Sequence, residues 1–231
     1  MPRPPRIAAG DVVYHVLNRA NARRTLFTRD ADYEAFERIL AEACGRTGMR
    51  LLAYAVMPNH WHLVSWPRAD GDLSTFAGRL AQTHAQRWHG VHDTRGTGHC
   101  YQGRFKSFPV QADEHFLALC RYVEANPVRA GLVRRAQDWR WGSAARRVST
   151  TPPGDGPPLS AWPVPEPPRW LEEVNRPPAP EALKRVRAAV VRGRPFGTDA
   201  WTERTAARLG LTSTLAPRGR PTRAPGSDLP R

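Results

Sequence analysis

Lysine is almost missing from this chain: Lys106 and Lys184 are the only two in 231 residues. The formal net charge is nevertheless +14 and the isoelectric point about 11.1, so arginine carries nearly all of the positive charge. Arginine's planar fork suits phosphates and stacks on bases. A balance this basic points to a polyanionic partner, most simply nucleic acid, although a solvated arginine-rich surface would give the same count. Cysteine is scarce as well. Cys44, Cys100 and Cys120 are odd in number and far apart, which argues against a disulfide framework or a zinc pattern and fits a reducing cytoplasm. No apolar run approaches the ~18–20 residues needed to cross a bilayer, so no membrane partner is expected. The opening Met-Pro-Arg-Pro-Pro-Arg has no apolar segment of secretory type.

What is present begins with apolar periodicity. Val12–Asn18 is β-branched and aromatic, a first strand. Asp30–Arg46 places Tyr33, Phe36, Ile39, Leu40 and Ala43 at helical spacing, with Asp30 as N-cap and Gly48 ending the segment. Arg50–Val56 and His60–Trp66 flank the turn residues Pro58-Asn59 and read as a hairpin. Leu73–Trp88 is a second helix, Arg104–Gln111 a fourth strand with Pro109 marking an edge, and Asp113–Ala125 a third helix stopped by Asn126-Pro127. The order β-α-β-β-α-β-α predicts an α+β protein with a ferredoxin-like, antiparallel four-stranded sheet and its helices on one face. Eleven prolines between Thr150 and Pro180 then mark a linker, in which Trp162 and Trp170 are free to dock. A small basic tail with two short helical patterns, Glu181–Val191 and Thr198–Leu209, follows. The expected division is residues 1–149, a Pro-rich linker 150–180, and a partly disordered basic helical tail 181–231. Arg192-Gly193-Arg194-Pro195 and Arg218-Gly219-Arg220-Pro221 repeat one tetrapeptide in that tail. Flexible arginine-glycine segments of this kind lie in minor grooves, which makes Arg194, Arg218 and Arg220 candidate DNA contacts.

Chemistry concentrates on His60-Trp61-His62. Residues i and i+2 of a strand share a face, so both imidazoles can converge on one ion, and neutral imidazole is a common ligand. The same spacing suits two half-buried histidines on an ordinary hairpin. Tyr122 and Asn126 lie one helical turn apart. An amide oxygen from Asn126 could complete a ligand set, with Tyr122 beside it. Trp61 is more simply core than a base-stacking platform, His84 a packed histidine, and His15 a residue facing the sheet without chemistry.

The joint pattern of His60-x-His62 and Tyr122-x-x-x-Asn126-Pro127 resembles the HUH single-tyrosine transposases. It is most similar to the REP-associated tyrosine transposases, relatives of insertion-sequence transposases. Tyr14–Arg19, Met57–His62, Tyr101–Phe105, Arg121–Val133 and Trp139–Ser143 carry the likeness, over roughly residues 8–147. Gly193–Gly197 and Thr202–Thr205 resemble the tail of some members. The resemblance implies the HUH endonuclease fold. It implies that His60 and His62 bind a divalent ion, Mg²⁺ or Mn²⁺, with Asn126 as third ligand where relatives often carry glutamine. It implies that Tyr122 is the nucleophile. The expected product is a 5′-phosphotyrosine and a free 3′-OH on single-stranded DNA beside a hairpin, and the covalent link permits rejoining without ATP. Asn18, Arg19, Arg23, Arg24, Arg104, Lys106 and Arg129 are candidate DNA contacts. The expected setting is the cytoplasm, at the nucleoid, as monomer or homodimer. The alternative is a non-catalytic DNA-binding regulator on the same fold.

Overall fold

A computed structural model describes residues 8–149 and 156–216. Its elements are β1 (Val13–Arg19), α1 (Asp30–Thr47), β2 (Arg50–Met57), β3 (His60–Trp66), α2 (Asp72–Val91), β4 (Lys106–Val110), α3 (Glu114–Glu124), α4 (Asn126–Arg129), α5 (Ser143–Val148), α6 (Trp170–Asn175), α7 (Pro180–Arg192) and α8 (Asp199–Arg208). The four strands form one sheet in the order β2-β3-β1-β4, every neighbour antiparallel. This is the ferredoxin-like arrangement that the element order predicts. β4 is an edge strand, as Pro109 requires.

The helices differ from the expectation in one respect: they cover both faces of the sheet. On one face, Val16, Tyr54, Trp61 and Leu63 pack with Phe36 and Leu40 of α1 and Phe76 and Leu80 of α2. On the other, Val13, Ala55, Val64 and Phe108 pack with Phe116, Leu119 and Val123 of α3. The cause is visible in β2, whose side chains from Leu51 to Met57 are all buried. A strand apolar on both faces needs a layer on each. The cap of α1 also shifts by one residue. Arg29 is the N-cap, and Asp32 accepts from the backbone N–H of Thr28 and Arg29 at 3.0 and 3.1 Å. A carboxylate at that position reaches back over the first turn. Gly48 closes the helix in the left-handed conformation, φ 62°, where glycine carries no Cβ penalty.

The proline-rich stretch behaves as a strap over α3. Trp162 Nε1 donates to the carbonyl of Leu52 at 3.0 Å, and Trp170 Nε1 donates to Glu124 Oε2 at 2.6 Å. The two indoles meet edge-on, 4.9 Å between centroids, with Phe116 against Trp162. Beyond the strap, Val186, Ala189 and Phe196 join the α3-side core. Phe196 N–H donates to the Pro109 carbonyl at 2.9 Å, and Gln111 N–H to the Phe196 carbonyl at 2.9 Å. The tail thereby covers backbone groups at the exposed edge of β4, which edge strands otherwise leave unpaired.

Candidate active site between β3 and the third helix

His60 and His62 stand on the α3 face at the start of β3. Their rings meet edge-on at 4.9 Å between centroids. Strand alternation sends Trp61 to the opposite face, where it is fully buried. There Trp61 Nε1 donates to the Tyr101 hydroxyl at 3.0 Å, and that hydroxyl donates to His84 Nδ1 at 2.6 Å. Trp61 and His84 are thus core residues, as expected.

His60 Nδ1 lies 2.6 Å from Asn59 Oδ1. Asn59 Nδ2 donates to the Arg23 carbonyl at 3.2 Å, which leaves the amide oxygen for the imidazole. His62 Nδ1 lies 2.8 Å from His15 Nε2. On both ligand candidates Nδ1 is engaged, and among the described residues Nε2 has no protein partner. Burial, aided by the Arg19 charge, pushes the His60 pKa down to about 4. Burial also carries His62 well below its ordinary value, with His15, His60, Arg129 and Arg19 adding to the effect. Both rings are therefore neutral near pH 7, the form that binds metal.

Tyr122 approaches from α3, its ring edge-on to His62 at 6.0 Å. Asn126 follows at the start of α4, and its side-chain Nδ2 is buried without a partner. Amide oxygen and nitrogen exchange places by a half-turn of the group, so the same rotor can offer oxygen. Two free imidazole nitrogens and an unsatisfied buried amide are what an absent ion would leave behind. The donor set fits a divalent ion with positions open to phosphate and water. A second acidic and histidine group, Asp113, Glu114 and His115, lies at the far end of α3. There both His115 nitrogens already have partners: Asp113 Oδ1 at 2.8 Å and Arg185 Nη2 at 3.2 Å.

Residues 8–126 match the family described as transposase, IS200-like. The chain belongs to that family. Among curated proteins, the chain is similar to the REP-associated tyrosine transposase of Escherichia coli strain K12, at 24% identity over 140 residues, covering 61% of this chain and 80% of that one. Among solved structures it is similar to a REP-associated tyrosine transposase bound to a REP hairpin. That match has 18% identity and a TM-score of 0.52, covers 70% of this chain and 99% of the other, and supports the fold. Among the described residues, no helix is long and apolar enough to cross a membrane.

The expected DNA contacts divide between the two sides of the sheet. Arg19 pairs with His60 across the ladder, and its Nε is buried without a partner. Arg129 lies over the Tyr122 ring, 4.2 Å from its centroid. Lys106 is exposed at the start of β4. Asn18 alternates away from the histidines and donates to the Gly103 carbonyl at 3.4 Å. With Arg104 it lines a groove of about 770 Å³ beside α2. Arg24 stacks on Trp88 at 4.8 Å and donates to the His99 carbonyl at 3.2 Å, while exposed Arg23 offers its carbonyl to Asn59. Arg194 sits in the tail segment leading to Phe196, and Arg218 and Arg220 lie outside the described residues.

Two neighbours of the site escaped the sequence reading. His15 showed no pattern of its own; only the β1–β3 register brings it against His62. Asn59 read as turn chemistry, although its place next to His60 was the available signal. A further cover also emerges from the fold: Arg121 Nη2 donates to the Arg176 carbonyl at 2.7 Å. Pro178 and Val186 line a small cleft with Tyr122 and Arg129, so strap and tail abut the tyrosine.

Proposed function

We propose that this transposase cleaves and rejoins single-stranded DNA beside a hairpin, with Tyr122 as nucleophile. The observation that carries the reading is the convergence of Tyr122, His62 and His60 from two separate elements onto one spot. The relative of known structure is bound to a REP hairpin, which supports hairpin DNA as the substrate class. A divalent ion, Mg²⁺ or Mn²⁺, held by His60, His62 and Asn126 would neutralise charge developing on the phosphate under attack.

The chain's own residues account for the rest. Tyr122 Oη displaces the 3′-oxygen of the scissile phosphodiester, forming the 5′-phosphotyrosine and releasing a 3′-OH. The reverse attack by another 3′-OH restores the tyrosine and seals the new strand. Arg19 and Arg129 flank the histidines with fixed positive charge, which favours an entering phosphate. The strap and the buried Glu124 hold α3 on its own sheet, which supports a tyrosine acting with the histidines of the same chain. Residues 1–149 supply the chemistry in this reading, residues 150–180 the strap, and the basic tail further DNA contact.

The test is a denaturing gel of the full chain with labelled single-stranded hairpin DNAs, taken from repeats near its gene, with Mg²⁺, Mn²⁺ or chelator. A metal-dependent protein–DNA band that disappears in Tyr122→Phe, with hairpin binding retained, is the expected result. Cleavage that survives Tyr122→Phe would remove the nucleophile assignment. Tight hairpin binding without any covalent band, with either ion and several flanking sequences, would leave a non-catalytic DNA-binding protein.

A further inference from the structure

Neutral imidazole carries one N–H and one lone pair, and only the lone pair can bind an ion. Which nitrogen holds the proton is decided by what each ring touches. Asn59 Oδ1 can only accept, so His60 must carry its proton on Nδ1 to make the 2.6 Å contact. Its lone pair then falls on Nε2. The His62–His15 contact, at 2.8 Å between Nδ1 and Nε2, admits either direction of donation. Presenting a lone pair at His62 Nε2 requires the proton on Nδ1, donated to His15. The remaining His15 proton is then on Nδ1, which is buried without a partner. The neighbouring Phe108 ring lies 4.9 Å away.

We propose that His15 and Asn59 are positioning residues, which fix the tautomers of His62 and His60 and turn both Nε2 atoms toward the ion. The proposal rests on the reading of those two histidines as ligands. His15 is fully buried on β1, so it reaches neither DNA nor ion and acts through His62 alone. As core filling it is a poor choice. Its own Nδ1 stays unsatisfied, and buried polar groups without partners are rare and call for a reason. Its service as the acceptor for a ligand's second nitrogen supplies one. Asn59 performs the same service from the turn, itself steadied by the Arg23 carbonyl.

The test is Mn²⁺ titration of the full chain, free of DNA, followed by electron paramagnetic resonance. The wild type should bind one ion, and His62→Gln should lose it. His15→Phe and Asn59→Ala should each weaken binding about 10- to 100-fold. His15→Gln and Asn59→Asp keep an acceptor and should recover most of the affinity. His15→Phe strands His62 Nδ1 and should melt somewhat lower, so affinities are compared on folded protein, where recovery in His15→Gln separates a lost acceptor from lost packing. If the wild type binds through His62 but His15→Phe and Asn59→Ala bind as tightly, the proposal falls and the ligand assignment stands. If wild-type binding is missing or indifferent to His62→Gln, the ligand assignment itself falls. Imidazole ¹⁵N spectra of the wild type with Mg²⁺ need no variant to fold. They should show both His60 and His62 protonated at Nδ1, and a proton on Nε2 of either would overturn the proposal.

Discussion

The guanidinium of Arg129 lies 4.2 Å from the centroid of the Tyr122 ring and donates through Nη2 to that residue's own carbonyl at 2.7 Å. Seven residues apart, the two are brought together by the break at Ala125, where α3 gives way to α4. The cation is thus locked to the tyrosine's backbone as well as to its ring. In the proposed reaction, charge builds on the phenolic oxygen as the phosphotyrosine bond breaks, and a fixed cation nearby favours it. Arg129→Gln is expected to slow formation and resolution of the covalent complex roughly tenfold or more, with hairpin affinity falling much less. Single-turnover cleavage and a filter-binding titration would separate the two. Equal loss in both would make Arg129 only a phosphate contact.

Glu124 is the most heavily bonded buried charge on the tyrosine helix. It is 1% exposed, and its oxygens accept from Ser143 Oγ at 2.5 Å, Arg147 Nε at 3.0 Å and Trp170 Nε1 at 2.6 Å. Removing one partner of a buried ion pair leaves the other uncompensated. Glu124→Ala should cost roughly 3–5 kcal/mol in urea denaturation. A loss below ~1 kcal/mol, the range of exposed pairs, would show that solvent reaches the cluster.

Tyr101 joins two buried polar groups, accepting from Trp61 and donating to His84. Tyr101→Phe keeps the ring but strands both neighbours. The expected loss is about 1–3 kcal/mol for each unsatisfied group, with covalent activity at permissive temperature close to wild type, because this cluster lies on the other face of the sheet.

Mild acid should destabilise the fold through its buried histidines. Burial pushes His84 down to about 3, and burial together with the His60 charge does the same to His15. In the unfolded chain a histidine takes up a proton near pH 6.5, while the folded protein holds these two neutral. The stability drawn from keeping them neutral is complete above about pH 6.5. It is lost as pH falls toward 3, at about 1.4 kcal/mol per pH unit for each group. Denaturation midpoints without added metal should therefore drop between pH 6.5 and 5. A flat profile there would mean that one or both rings protonate in the native state.

The two halves of the candidate site were legible from local pattern, and the family resemblance implied that they meet; the Tyr122 ring lies 6.0 Å from that of His62. His60 and His62 share a face by alternation, and Tyr122 and Asn126 by helical pitch. What was hidden depends on register and on distant chain. Nothing local to His15 says that β1 slides against β3 so that Leu17 faces His62, which sets His15 diagonally across from the ligand. The second helical layer was legible in principle, since an unbroken apolar run such as Leu51–Val56 has no solvent face. Proline content marks residues 150–180 as linker, but within that stretch Trp170–Asn175 is helical and Trp170 and Val174 enter the core. Composition could not show that Trp162 would find the Leu52 carbonyl, because that partner lies more than a hundred residues away.

The strap gives the protein a sense of time. The ribosome makes Tyr122 before its helix can settle, because the partners of Glu124, two residues on, come from residues 143, 147 and 170. Until Trp170 has left the exit tunnel, the helix that carries Tyr122 holds a carboxylate whose pocket is unfinished. A nascent chain would display His60 and His62 without a settled Tyr122. The packing that fixes Tyr122's helix therefore closes only after residue 170 has been made.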